Sequence, residues 1–557
     1  MASTPNYSPA SPQRNLQKST PHDTSHSLDV RKQLRTHGLL PPSVESHALQ
    51  AQRCLKQLAS KTSPIEKYIY LSTLRNTNTH LFYRVLLENF NLTTKTLTPV
   101  VYTPVVGLYV SWKDRGNIVN VLRNWPKPKV EITVVTDGSR ILGLGDLGVN
   151  GMGIPVGKLT LYTGCAGIRP ENTLPLCLDL GTNNEAFLKD PLYLGTRMKK
   201  VTDAEEKEFL DELMVALNTV WPGIVVQFED FKNPFPALER YQHEYSCFND
   251  DIQGTGAVIL AGIINALKTT GKPAKDQRAV FIGAGSAGVG VAKQIVEFFQ
   301  KEGLTEDEAR QCFWFVDTKG LITNDRGDKL AQHKVYFSRD DNDGQQFKTL
   351  EQVVDYVKPT MLLGLSTIRG VFNESILKKM AQMNEQPIIF PLSNPSSNAE
   401  CSFEEAVKHT GGKCVFASGS PWPPYLYNGK VMQPSQGNNV YVFPGIGLGA
   451  ILSKAVHISQ EMIYASAVAL SKATNASEIN HGKLYPDLDR IREVSVIVCR
   501  EVIKEAQRQG LDRETSMRGK SDEELDAWIR SRMYDPYKEH GVVEEKVAGS
   551  PLKKSLL

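Results

Sequence analysis

The sequence predicts an α/β protein: a helical N-terminal part followed by two α/β units, one of them discontinuous along the chain. Three observations carry this prediction. In residues 44–91 apolar side chains recur at spacings of three and four, as in Ile65, Tyr68, Ile69, Leu71 and then Leu81, Val85, Leu86. Beyond residue 130, short apolar runs alternate with amphipathic stretches, the pattern of strands carrying crossover helices. Between one such run and the next helix lies the glycine-rich turn Gly283-Ala-Gly-Ser-Ala-Gly288. At 557 residues the chain is too long for a single core.

Taken in order, residues 1–20 are Ser, Thr, Pro and Asn with little apolar content, too little to offset ordering entropy, and are expected to be a disordered tail. A helical domain is expected over 21–105. An α/β domain follows over 106–249, with strands at Glu131–Thr136, Leu159–Tyr162 and Ile224–Gln227 and an apolar run at Leu176–Leu180. Thr202-Asp-Ala-Glu205 is a capping box opening a helix that buries Phe209, Leu210, Leu213 and Leu217. A second α/β domain spans 250–438, with strands at Ala279–Ile282, Phe313–Val316, Met361–Leu365, Ile388–Leu392 and Val415–Ala417. A strand at Val440–Phe443 and a helix at Ala450–Leu470 return the chain, over 439–512, to the first α/β domain, and 513–557 form a charged C-terminal extension with a basic tail.

Composition excludes several functions. Lys and Arg exceed Asp and Glu by 64 to 61, a formal net charge of +3 with no basic stripe, so nucleic acid is not an expected partner. The apolar run Ala257–Leu267 is broken by Asn265 and falls short of the ~20 residues that span a membrane, so no membrane role is expected. The eight cysteines include no Cys-x-x-Cys pair and read as reduced and buried. Without a signal peptide the expected location is cytoplasmic; the alternative is the mitochondrial matrix, for which Arg14 and Lys18 are a thin presequence.

The glycine turn has the context that gives it meaning: a buried strand before it, a helix after it, and a later strand ending in Asp317. Gly283, Gly285 and Gly288 let the backbone approach a pyrophosphate, and the helix opening at Ser286 and Ala287 presents amide donors to it. The unit therefore reads as a Rossmann-like dinucleotide-binding domain. Asp317 suits ribose hydroxyls and hence NAD, whereas Lys319 and Lys334 suit the 2′-phosphate of NADP, and the sequence leaves both open.

Two acidic pairs, Glu229-Asp230 after a strand and Asn249-Asp-Asp251 before a helix, are what a hard cation such as Mg²⁺ or Mn²⁺ requires. Taken alone, such acids also serve as helix caps or solvated charges.

Tyr102-Thr-Pro104, Thr136-Asp-Gly-Ser-Arg140, Gly151-Met-Gly-Ile-Pro-Val-Gly-Lys158, Phe228-Glu-Asp-Phe231, Phe248-Asn-Asp-Asp-Ile-Gln-Gly254, Leu392-Ser-Asn-Pro395, Ser418-Gly-Ser-Pro421 and Gly437-Asn-Asn439 together resemble the malic enzyme family, in order along the chain from about residue 21 to residue 535. The resemblance implies oxidative decarboxylation of L-malate to pyruvate and carbon dioxide, with NAD or NADP and a divalent metal, in a homo-oligomer, dimer or tetramer. It implies metal ligands at Glu229, Asp230 and Asp251 with Asp250 beside them, a general base at Lys158 and a general acid at Tyr102. Arg140, Asn394 and Asn438 would hold malate, with Asn439 a weaker candidate. For Lys158 to act as a base, its surroundings are expected to lower its pKa.

The family pattern is interrupted once. After Tyr102-Thr-Pro104, Val105-Val-Gly107 runs straight into Leu108-Tyr-Val-Ser111, where a further Tyr/Arg/Pro-containing stretch is normal; Arg369 and Trp422 are smaller departures. This shortening raises an alternative, a catalytically impaired homologue serving as a structural or regulatory subunit. A malate dehydrogenase without decarboxylation is a third reading, disfavoured by the acidic pairs.

Overall fold

A computed structural model describes residues 24–33, 39, 42–90, 107–141, 144–327 and 329–536. The chain divides into two compact units, one from Met1–Pro99 with Tyr534–Leu557 and one from Val100–Met533.

The first unit is helical, with helices at Leu28–Gln33, His47–Ala59, Pro64–Thr77 and Thr79–Glu88. Local chemistry sets their starts: Ser46 and Asn78 cap the second and fourth, and Ser63 with Glu66 forms a capping box, with Pro64 in the first turn where its missing N–H costs nothing. Arg31 is buried, donating to the carbonyls of Thr24, His26 and Ser43 at 2.7–2.8 Å. The far end of the chain joins this unit through Tyr534, whose hydroxyl lies 2.5 Å from His80 Nδ1.

The second unit contains two sheets. The first holds β1 (Leu108–Ser111), β2 (Ile132–Thr136), β3 (Thr173–Asp179), β4 (Val225–Phe228) and β5 (Cys247–Asn249), all parallel, in the order β1-β3-β2-β4-β5. Every residue of β2 and β3 is buried, which explains their continuous apolar runs. The second sheet holds β6 (Ala279–Ile282), β7 (Phe313–Asp317), β8 (Gly320–Leu321), β9 (Met361–Gly364), β10 (Ile388–Pro391) and β11 (Val415–Ser418). A small hairpin of β12 (Tyr425–Tyr427) and β13 (Lys430–Met432) follows, and β14 (Ser435–Gln436) closes the sheet order β14-β11-β10-β9-β6-β7-β8. Strand order reverses at β6, which has β7 on one side and β9 on the other.

Two expected strands are helical instead. Leu159–Tyr162 lies inside the helix Gly153–Ala166, ended by Gly167 in the left-handed region at φ 65°. That helix is buried on nearly all sides, so its apolar run mimics a buried strand. Val440–Phe443 forms a 3₁₀ turn, Asn439–Tyr441, running into the helix Phe443–Ser453, because Asn438 Oδ1 accepts from Val440 N and Pro444 suits a first helical turn. The expected helix Ala450–Leu470 is likewise two helices: Lys454 at φ 50° ends the first and Ser459 caps the next, Gln460–Ala473. Within this unit the later helices pack back on the first sheet's helix, with Arg492 Nη1 donating to Gly164 O at 2.8 Å.

One stretch among the described residues, Asp250–Thr270, is long and apolar enough to cross a membrane, and it is mostly buried inside the protein. Seven of the eight cysteines are buried, Cys414 is half-buried, and none is paired.

Candidate active site

Because β2, β4 and β5 are neighbouring parallel strands, the segments leaving their carboxyl ends meet at one edge of the sheet. These are Asp137–Arg140, Glu229–Asp230 and Asp250–Asp251. One carboxylate oxygen from each of Glu229, Asp230 and Asp251 lies within 4.8 Å of the others. The cluster is tightly built: Asp251 Oδ2 accepts from Asp230 N at 2.8 Å, and Asp230 adopts φ 58°, a conformation that costs a non-glycine residue about 1 kcal/mol or more. Asp250 and Asp251 open a short π-helical turn ahead of the helix Thr255–Thr270, a distortion frequent at functional sites.

Lys158 reaches the cluster from its helix, with Nζ 2.9 Å from Glu229 Oε1 and 2.5 Å from Asp250 Oδ2, and lies 4.6 Å from the centre of the Phe443 ring. Burial pulls its ammonium down, but the Asp250 and Glu229 carboxylates prevail and hold it above the ordinary lysine value. The lowered pKa expected from sequence is therefore reversed: with the carboxylates uncompensated, Lys158 is their counter-ion.

The acids show the complementary strain. Burial, with repulsion from Asp251 and Asp250, pushes Glu229 up to about 8 against the pull of Lys158, and burial with the Asp230 charge pushes Asp251 up to about 7. Asp250 Oδ1 is buried without a hydrogen-bond partner, and a Cβ on Gly254 would lie 1.9 Å from it, so glycine is required there. An all-oxygen donor set with more negative charge than Lys158 offsets fits a divalent cation.

Further side chains hold this arrangement. Gln227 donates to Glu229 Oε2 at 2.6 Å and accepts from Tyr162 at 2.5 Å; Tyr162 stands one helical turn after Lys158. Sequence reasoning missed both, although Gln227 is the one polar residue in Val225-Val-Gln-Phe228. Of the two asparagines after Gly437, Asn439 donates to Asp250 Oδ2 at 3.1 Å, while Asn438 is exposed. Arg140 is exposed and makes no ion pair among the described residues; its turn is braced by Asp137, which accepts from Ser139 and from Lys200, and by Ser139 Oγ accepting from Lys232 N at 2.9 Å. Asn394 lies in the loop after β10, accepting from Ser420 Oγ at 2.8 Å. Tyr102 lies outside the described residues, with the rest of the stretch 91–106.

At the other sheet, the glycines of the dinucleotide turn differ in what they allow. A Cβ on Gly283, at φ 108°, would lie 2.4 Å from Leu365 O, and one on Gly288 would lie 2.3 Å from Gly283 O; Gly285 faces open space. The first two thus permit tight strand and helix packing and the third an open approach to the turn. The helix begins at Ser286, and the Ser286 and Ala287 side chains lie outside what is described.

Asp317, at the end of β7, is fully engaged: Arg326 Nη1 and Nη2 donate to its two oxygens at 2.8 and 3.0 Å, and Lys334 Nζ lies 2.8 Å away. Lys319 N also donates to Asp317 at 2.9 Å, and its side chain is exposed. Burial raises the Asp317 pKa, but these donors prevail and hold it below the usual carboxylate value. Arg326 escaped sequence reasoning.

Residues 75–242 match the model of the malic enzyme N-terminal domain and residues 252–507 that of the malic enzyme NAD binding domain. The chain is 46% identical over 530 residues to a Dictyostelium discoideum protein named NADP-dependent malic enzyme, covering 92% of this chain and 96% of that one. It is 43% identical over 531 residues to the Homo sapiens protein of the same name, covering 92% and 91%. Among solved structures, the malic enzyme of Pyrococcus horikoshii superposes with a TM-score of 0.54 at 25% identity, covering 75% of this chain and 84% of that one. The Entamoeba histolytica malic enzyme superposes with a TM-score of 0.56 at 22% identity over 88% and 92%, a likeness of fold. Nothing in these likenesses favours the impaired, structural-subunit alternative.

Proposed function

The chain belongs to the malic enzyme family and oxidatively decarboxylates L-malate with a nicotinamide coenzyme, and from that premise we propose that its coenzyme is NADP and that its metal is Mg²⁺ or Mn²⁺ held by Glu229, Asp230 and Asp251. The observation that supports the metal most directly is the meeting of three carboxylates, two of them with raised pKa, around a lysine that cannot balance them. NADP is supported by Asp317, whose oxygens are taken by Arg326 and Lys334, leaving a basic surround suited to a 2′-phosphate. The names of the relatives above agree with this choice.

When bound, the cation supplies a Lewis acid at the malate oxygen, and the nicotinamide supplies a hydride acceptor. The chain's own residues do the rest. Arg140, without an ion-pair partner among the described residues and carried on a braced turn, presents its donor fork to a malate carboxylate. Asn394 and Asn438, at strand and turn ends of the second sheet, offer amides to the substrate. With the charge of Glu229 taken by a cation, what holds the Lys158 proton is removed, so that Lys158 can release that proton to solvent and, as the neutral amine, accept the hydroxyl proton; Tyr102 returns a proton to carbon after carbon dioxide leaves. Asn439 and Gln227 keep Asp250 and Glu229 in place.

The test follows carbon dioxide release beside coenzyme reduction, with NADP and with NAD, before and after chelation. Equimolar carbon dioxide and NADPH, lost on chelation and restored by Mn²⁺, is the expected outcome. Reduction without carbon dioxide, or turnover indifferent to chelator, overturns the proposal.

A further inference from the structure

Glu400 stands outside the site described so far. It is fully buried, and among the described residues no lysine, arginine or histidine pairs with it. Among the described residues its carboxylate accepts from two serines alone. Glu400 Oε1 accepts from Ser366 N at 3.0 Å, Ser366 Oγ at 3.1 Å and Ser393 Oγ at 2.5 Å, and Oε2 accepts from Ser393 N at 3.3 Å. Ser393 Oγ in turn accepts from Thr367 N at 2.9 Å, holding Thr367 at φ 58°.

The two serines lie on the segments leaving β9 and β10. β9 flanks β6 where strand order reverses, the crevice in which an open α/β sheet binds a dinucleotide. Its exit abuts the glycine turn, since Leu365 O is what a Cβ on Gly283 would strike. The β10 exit carries Asn394, tied onward to Ser420 after β11. Space is shaped around the carboxylate as well: a Cβ on Gly364 would lie 2.3 Å from Glu400 Cδ. A buried carboxyl group with no cation beside it among the described residues is costly unless its hydrogen bonds are made. Glu400 therefore favours the one arrangement in which both exits are in place.

We propose that Glu400 is a positioning residue, whose carboxylate clamps the β9 and β10 exits and so sets the coenzyme crevice and Asn394 together. The proposal rests on the functional reading above for the identity of the ligands.

The experiment compares Glu400→Gln with the unaltered protein in coenzyme Kd (NADPH fluorescence, no malate), malate KM, kcat, Mn²⁺ affinity and Tm. Glutamine keeps the shape but sets an amide N–H₂ against one of the donors. Coenzyme Kd and malate KM are each expected to rise about tenfold, as for loss of a supporting partner behind a ligating group, with Mn²⁺ affinity unchanged because the acids sit on the other sheet. A folded Glu400→Gln with both constants within about twofold of the original overturns the proposal, as does a loss that extends to Mn²⁺ and so reports general loosening. If Glu400→Gln does not fold, Ser393→Ala decides: it removes the 2.5 Å contact and the Thr367 acceptor but leaves the backbone donors, and should raise both constants about threefold, whereas unchanged constants overturn the clamp. Absence of malate turnover in the unaltered protein would instead overturn the functional reading, and coenzyme Kd alone would then judge Glu400.

Discussion

Two carboxylate sites at the ends of parallel strands face opposite electrostatic problems. Beyond β4, Glu229 and its neighbours Asp230 and Asp250 are buried and Asp251 is half-buried, with Lys158 the cation within reach among the described residues, and Glu229 and Asp251 are pushed up toward neutrality. At the end of β7, Asp317 is surrounded by Arg326 and Lys334 and pushed down. The first site has an excess of negative charge and the second an excess of positive. One is thus prepared for a cation and the other for an anion, although both are built from an acid at a strand end.

The sharpest way to break the comparison is to remove charge from the first site. Asp251→Ala should lower malate turnover at saturating Mn²⁺ by more than about a hundredfold, the upper end of what outer-shell partners of a metal cost. Coenzyme Kd should stay unchanged, because Asp317 and the glycine turn belong to the other sheet. Steady-state kinetics beside equilibrium coenzyme binding check both halves, and normal metal dependence in the variant would remove Asp251 from the ligand set.

A gentler probe is pH. In the metal-free protein the folded-state pKa values of Glu229 and Asp251, about 8 and about 7, lie above the ordinary carboxylate range. Folding therefore takes up protons at these groups, and their contribution to stability falls as pH rises from the ordinary range through about 8. Lys158 does not oppose this between pH 6 and 8, because its raised pKa keeps it charged in both states there. A cation competes with the same protons, so apparent Mn²⁺ affinity should climb with pH, by up to about tenfold per unit for each proton displaced, and Mn²⁺ should raise Tm more at pH 8 than at pH 6. Titration calorimetry and thermal melts at the two pH values check this; a flat profile would mean the acids are already ionised and the contrast with Asp317 is overdrawn.

What the sequence revealed of these sites follows from how far each partner lies along the chain. Glu229, Asp230 and Asp251 were legible because each sits in a long motif beside a strand end, and parallel neighbours bring such ends together. Asn438 and Asn439 were not separable: adjacent asparagines share every sequence property, and only the capping bond to Val440 and the donation to Asp250 divide their roles. Arg326 and Glu400 were invisible because their partners are fixed by folding, the arginine through the β7–β8 turn and the glutamate through serines 34 and 7 residues away. The fold was legible wherever periodicity was clear. It failed at Leu159–Tyr162 and Val440–Phe443, where full burial erases the difference between a strand and a helix.

The smallest expected effect sharpens the second site. Lys334 sits 2.8 Å from Asp317 but is partly open to solvent, so its ammonium can serve the aspartate and a 2′-phosphate together. Arg326 is more deeply buried and bidentate, and so is committed to Asp317. Removing Lys334 should thus leave Asp317 neutralised and the crevice intact while taking one charge from the phosphate. A hydrogen bond between charged groups contributes about 1.5–3 kcal/mol, less where solvent screens it, so Lys334→Ala should raise the KM for NADP about tenfold. With NAD, which has no 2′-phosphate, KM should be unchanged, and the NADP effect should shrink as salt is added. Equal losses with both coenzymes would show that Lys334 acts through Asp317 on the ribose, and the basic surround of Asp317 would then be structural rather than a phosphate seat.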